Sequence, residues 1–172
     1  MAQVSYLNKD EADESVRPIF EQIERKLGQM PHFFQVLAHS PDSFKAFLDL
    51  DGAMKTMALE ARHRELAYLG ASVHNGCDYC THYHKIFGQK AGLNDRQLSE
   101  VATFETSESF DDLQKDILRF TQQLTEQARV EQGLTQRLKQ QLSERELVEL
   151  AMVVALANYT NRLNVILEVE LP

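Results

Sequence analysis

Two cysteines, Cys77 and Cys80, lie three residues apart in the run Cys77-Asp78-Tyr79-Cys80-Thr81-His82-Tyr83-His84, and the chain has no others. On a helix, positions i and i+3 share a face about 5 to 6 Å apart, inside the roughly 4.4 to 6.8 Å Cα separation that a disulfide spans. His84 follows Cys80 by one turn on the same face, so a proton acceptor stands beside one sulfur. The pair can exist as thiolate and thiol or as a disulfide, which makes thiol redox chemistry the leading reading. Glu65 adds a third group. It precedes Cys77 by twelve residues, and a hairpin folded about Asn75-Gly76 brings position 65 opposite position 85, so Glu65 should meet His84. A thiol, a base within reach and an acid that orients the base form the arrangement of an activated nucleophile. A helix starting at Cys77 would also favour a thiolate there, by about 0.3 to 1 kcal/mol.

Other readings of the same residues stay open at this point. A cysteine on an apolar helical face is commonly a small core residue. Cys77, Cys80 and His84 could offer three zinc ligands, but His82 projects to the opposite side of the helix, and the second ligand pair of a closed site is missing. Glu65, between Arg62 and Arg64, could be a solvated ion-pair residue. His32, His39, His63 and His74 show no constellation and are expected at the surface or at helix ends. Asn158, Asn161 and Arg162 interrupt an apolar helix and are expected to form a buried structural network or a subunit contact.

The elements that must hold these groups are helical. Seven Gly and four Pro leave little turn chemistry, while apolar residues recur at helical spacing almost throughout, so the expected class is all-α. Pro18 opens a stripe of Ile19, Phe20, Ile23 and Leu27 that Gly28 stops. Ser40, Pro41 and Asp42 read as N-cap, first position and dipole-matched acid of the helix carrying Phe44, Phe47, Leu48 and Met54. A helix over about 58–73 carries Leu66, Leu69 and Val73, with Ala67, Gly70 and Ala71 small enough for close approach. The next starts near Cys77 and ends at Ala91-Gly92, with Cys77, Cys80, His84, Phe87 and Ala91 as its inward, core-facing stripe. Asn94 with Gln97 and Ser143 with Glu146 read as capping boxes. Phe110, Leu113, Ile117, Phe120 and Leu124 make a further stripe. In the final helix, Ala151 to Ala157 is apolar all round, as expected of a helix buried on most sides, partly by another subunit.

Composition narrows the function classes. A chain of 172 residues suits one domain with a substantial core. Eighteen Lys and Arg against 26 Asp and Glu give a net charge of −8 without a basic stripe, which argues against a nucleic-acid partner. The longest apolar run is far below the roughly 20 residues that span a bilayer, and the N-terminus shows no basic-then-apolar signal pattern. The expectation is a cytoplasmic protein with no membrane association.

The pattern Glu65, Cys77, Cys80, His84, with steps of twelve, three and four, resembles the alkylhydroperoxidase AhpD-like group of the carboxymuconolactone decarboxylase superfamily. The segments 31–41 (PHFFQVLAHSP), Arg64-Glu65-Leu66 and Asn161-Arg162-Leu163 look like its peroxidase-related branch, and the likeness is densest over about 30–105. The resemblance implies one AhpD-like helical domain over 1–172, a CxxC at the start of a central helix, and reduction of a hydroperoxide. By that similarity Cys80 is the peroxidatic thiol, Cys77 resolves it, and His84 and Glu65 relay protons, with no cofactor and no metal. An external dithiol, dihydrolipoyl or thioredoxin-like, would reopen the disulfide. Assembly as a homo-oligomer, a trimer or hexamer, is also implied. The best-studied members look like they carry a histidine directly before the second cysteine, where this chain has Tyr79. A phenol, with an ordinary pKa near 10, donates a hydrogen bond but is no easy base. Two competing functions are a redox-gated interaction protein and a lyase of the carboxymuconolactone decarboxylase kind; the latter needs no cysteine pair.

Overall fold

A computed structural model describes residues 2–172. Nine α-helices and one short 3-10 turn make up the regular structure among the described residues, with no strand. They are α1 (Arg17–Leu27), α2 (His32–Leu37), α3 (Pro41–Met54), α4 (Ala61–His74), α5 (Asp78–Lys90), α6 (Asp95–Glu100), α7 (Asp112–Gln127), α8 (Gln132–Lys139) and α9 (Glu144–Ile166), the 3-10 turn being Val101–Thr103. No helix among the described residues is long and apolar enough to cross a membrane.

The chain gathers into two compact units. The first runs to Lys55 and takes in Asn164–Pro172. Phe20, Phe33, Phe44 and Phe47 are buried in it, and the rings of Phe33 and Phe47 meet edge to face at 5.5 Å. Helix α1 ends as its sequence dictates: Gly28 takes the left-handed conformation (φ 79°) and its N–H closes on the Glu24 carbonyl at 2.8 Å. Ser40 occupies the N-cap of α3 but does not cap through its side chain; its hydroxyl donates to Ser43 Oγ instead.

The second unit, Thr56–Leu163, contains α4 to α8 and most of α9. Its core joins Leu66 and Leu69 of α4 to Leu93, Leu98, Val101, Phe104, Phe110 and Leu118. The small residues of α4 act as their spacing suggests: a Cβ on Gly70 would fall 2.8 Å from Leu118 Cδ2, so the absent side chain lets α4 and α7 approach. The capping boxes at Asn94/Gln97 and Ser143/Glu146 both form, and Asp111 with Gln114 makes a third at the start of α7. Asp116 of α7 is buried and held by Arg119 and Arg137, whose hydrogen bonds keep its carboxyl below the usual carboxylate range.

Two expectations are corrected here. The stripe of α5 is core only at its start: Phe87 is 36% exposed and Ala91 is half-buried, because the buried face of the helix's last turns is that of Gly88, set against Leu93 and Leu98. Periodicity fixes which side chains share a face, not how deep that face lies. His63 is buried rather than superficial, at 5% exposure, and its Nε2 has no partner. Burial pushes its pKa below the ordinary 6.5, against the pull of Glu60, Asp111 and Glu146.

Candidate active site

Helices α4 and α5 form a hairpin whose turn, Asn75-Gly76-Cys77, sets the whole arrangement. The turn is short because Gly76 adopts φ 64° and because the N–H groups of Asn75, Gly76 and Cys77 fold back onto the carbonyls of Ala71, Val73 and Ser72. Cys77 is the N-cap of α5, with its Sγ accepting from the Cys80 N–H at 3.2 Å. Such a position places a sulfur at the positive end of the helix dipole. Cys77 and Cys80 are joined as a disulfide with Cα atoms 5.3 Å apart. Both are buried, at 2% and 4% exposure, so Cys77 is no easier to reach than Cys80 despite lying at the loop.

His84 and Glu65 meet as the hairpin register requires, with His84 Nδ1 2.8 Å from Glu65 Oε2. An ionised carboxylate only accepts, so Nδ1 carries the proton and donates, which leaves Nε2 as the acceptor nitrogen. The flanking arginines take other partners: Arg62 pairs with Glu60, and Arg64 donates to the Leu59 carbonyl. The ion-pair reading of Glu65 is thereby replaced by a carboxylate–imidazole pair that is half-buried on both sides. Tyr68, one turn after Glu65 on α4, stacks flat on the His84 ring at 3.5 Å between centroids, and Phe87 meets the same ring edge-on at 5.4 Å. Tyr79, where the resemblance leads one to look for a second histidine, is buried and its ring lies 5.0 Å from that of Tyr83. His82 is exposed on the far side of α5, and no group of three His, Cys, Asp or Glu that could hold a metal occurs among the described residues.

Behind the hairpin turn lies a buried amide network. Asn75 Nδ2 donates to Asn158 Oδ1 and Asn161 Oδ1 at 3.1 and 2.9 Å. Asn161 donates on to Ser72 Oγ, which donates to the Tyr68 carbonyl, while Asn158 donates to Thr125 and to the Val154 carbonyl. The network pins the cysteine-bearing turn to α9 and α7, and satisfies polar groups that would cost about 1 to 3 kcal/mol each if left bare. Asn158 and Asn161 thus act structurally, as their interruption of an apolar helix suggests, whereas Arg162 is exposed. Sequence reasoning overlooked Tyr68 and its partner Thr160; the i, i+3 spacing from Glu65 was the available signal. A groove of about 280 Å³ on another flank of α4, between Val73, Phe104 and Leu118, shares no residue with this site.

Residues 41–123, which contain all four site residues, match the carboxymuconolactone decarboxylase family. That segment carries the family's signature, and the fold of the whole chain is AhpD-like. Among solved structures it is similar to the alkylhydroperoxidase AhpD core of an uncharacterized peroxidase-related protein from Ralstonia eutropha JMP134, at a TM-score of 0.89 and 20% identity, over 99% of this chain and 92% of that one. The debrominase Bmp8, in complex with 2,3,4-tribromopyrrole, is similar at a TM-score of 0.85 and 19% identity, over 100% of this chain and 94% of that one. The uncharacterized protein YdfG of Bacillus subtilis (strain 168) is 22% identical over 128 residues, 73% of this chain and 87% of that protein. At these identities the solved structures establish the fold, and this chain carries its cysteine pair on the α4–α5 hairpin of that fold.

Proposed function

We propose that this AhpD-like protein is a thiol-dependent peroxidase acting through Cys77 and Cys80, with His84 and Glu65 as its proton relay. The observation that carries the reading is the alignment, within one hairpin, of a disulfide-forming pair and a carboxylate-oriented imidazole one turn from Cys80. In the reduced protein, His84 Nε2 takes the Cys80 proton. The thiolate attacks the terminal oxygen of the hydroperoxide, forming an S–O bond and breaking O–O. The departing alkoxide takes the proton from His84 and leaves as the alcohol. Cys77 then attacks the sulfenic sulfur, water is released and the disulfide forms. An external dithiol, dihydrolipoyl or thioredoxin-like, restores both thiols by exchange. A compartment kept reducing, the cytoplasm, suits a pair that must be reopened each cycle.

The same reading takes the protein as a homo-oligomer, a trimer or hexamer. Helix α9 buries Val153, Val154 and Ala157 inside its unit, yet presents Val148 at 60% and Met152 at 42% exposure, with Ala155 and Tyr159 along the same face. A contiguous apolar stripe of this kind is what a subunit contact covers. Peroxide consumption by the reduced protein, with a dihydrolipoyl or thioredoxin-type recycling system, tests the activity. Wild type should turn over an organic hydroperoxide and Cys80→Ser should not; because a debrominase shares the fold, a halogenated pyrrole is the control substrate. Equal rates in wild type and Cys80→Ser would refute the proposal.

A further inference from the structure

A histidine that must serve a sulfur one turn away needs more than one contact to hold its plane. The Nδ1 to Glu65 hydrogen bond fixes one edge of the His84 ring, but the χ2 torsion of a histidine is broad, and the ring can pivot about that bond without breaking it. The second constraint is Tyr68. Its ring lies parallel to the imidazole, 13° between planes, and so blocks rotation toward α4. The far end of Tyr68 is tied down in turn: its phenol oxygen is hydrogen-bonded to Thr160 Oγ1 on α9.

Proton counting favours one direction for that bond. A threonine hydroxyl has one hydrogen, and Thr160 Oγ1 lies 3.0 Å from the Ala157 carbonyl and 3.2 Å from that of Leu156, one helical turn back. With that hydrogen directed to a carbonyl, which only accepts, the Thr160 oxygen accepts from Tyr68. The phenol proton therefore points toward α9, and Tyr68 serves His84 through the face of its ring rather than by proton transfer. Thr160 is buried, at 3% exposure, so the anchor does not compete with bulk water.

We propose that Tyr68, anchored by Thr160, is a positioning residue that sets the plane of His84. The inference rests on the reading of His84 as the base for Cys80, and it assigns to α9 a role in the site beyond packing. Leucine at position 68 removes both stack and anchor, phenylalanine keeps the stack alone, and valine at 160 removes only the acceptor.

The test uses the reduced full-length protein without peroxide: the ¹⁵N signals of the His84 ring, whose widths report its mobility, and the rate of Cys80 alkylation by iodoacetamide. In wild type, His84 should show one Nδ1–H tautomer. In Tyr68→Leu the Nδ1–H tautomer should persist, because Glu65 is unchanged, but the ring signals should broaden and alkylation should slow by up to about a hundredfold, the scale on which misplaced groups lose reactivity. Tyr68→Phe should stay within about threefold of wild type, as expected when the ring face is retained. Thr160→Val should broaden the His84 signals and Thr160→Ser should restore them. A folded Tyr68→Leu with wild-type His84 line widths and alkylation overturns the proposal. If that variant does not fold, unchanged His84 signals in Thr160→Val overturn it equally. Since neither readout involves a hydroperoxide, a wild type inert toward peroxides would defeat the peroxidase reading while leaving this one standing or falling on its own data.

Discussion

Replacing Glu65 by glutamine probes the relay with the least disturbance of shape. The carboxylate sits 2.8 Å from His84 Nδ1 in a half-buried setting, so the bond lost is charge-assisted, of the kind worth about 1.5 to 3 kcal/mol. A glutamine can still accept from Nδ1–H, but its amide can also donate to Nδ1, which moves the ring proton to Nε2 and removes the base proposed for Cys80. If the whole contribution is expressed when His84 takes the thiol proton, oxidation of the reduced protein should slow by about 10- to 150-fold, at about 1.4 kcal/mol per tenfold. Rapid mixing with an organic hydroperoxide, acid quench and mass analysis of alkylated against oxidised protein gives the rate without a recycling partner. His84→Ala should cost more, about 10²- to 10⁴-fold, the range for loss of a general base. The double variant should be no slower than His84→Ala, because residues of one relay act as a unit. A folded Glu65→Gln protein that oxidises at the wild-type rate would refute the relay and return Glu65 to a structural role.

Mild peroxide should convert Cys77 and Cys80 to an intramolecular disulfide, seen as a loss of two hydrogens; thiols that remain alkylatable would exclude it. With a sequence separation of 3, the closed loop is small, so reduction should lower stability by no more than about 2 kcal/mol in urea unfolding. His63 gives a pH signature: its folded pKa lies below the ordinary 6.5, so the stability its neutral form contributes is complete above about 6.5 and is lost as pH falls through the depressed value. Between pH 7.5 and 5.5 the urea midpoint should fall in wild type and fall less in His63→Gln; parallel losses would show that His63 is not the titrating group. Sedimentation should give a multiple of the 19.7 kDa chain, with Val148→Asp or Met152→Glu shifting it toward monomer; a wild-type species at the chain mass would remove the α9 contact.

How much of this was legible in the sequence depends on how local the determinant is. The all-helical class follows from a 3.6-residue apolar period with few glycines and prolines, and the capping boxes at Asn94 and Ser143 are four-residue signals that context did not override. The Glu65 to His84 contact was readable because a tight hairpin converts sequence distance into opposite positions on two helices. Depth and long-range partners were not. Phe87 continues the cysteine stripe in register yet lies half out of its unit, and His63 has no periodic mark to announce that α4 buries its first turn. The Tyr68 to Thr160 bond spans 92 residues, and the Asn75 contacts to Asn158 and Asn161 span 83 and 86. No local pattern encodes such pairs; only the packing of α9 against the hairpin creates them.

For the proposed thiol cycle, the near-complete burial of both cysteines turns recycling into a problem of gating. A thiol must reach a disulfide sulfur along the S–S axis, and the burial of both cysteines restricts that approach. Reduction then proceeds through a local opening whose frequency is a property of the protein and not of the reductant. At high concentration, dithiols of different strength should converge on one ceiling rate, equal to the rate at which the turn opens. Amide exchange at Gly76, Cys77 and Asp78 should report the same motion. The asparagines that hold the turn would thus govern how fast the protein is reset, without touching the chemistry by which it is spent.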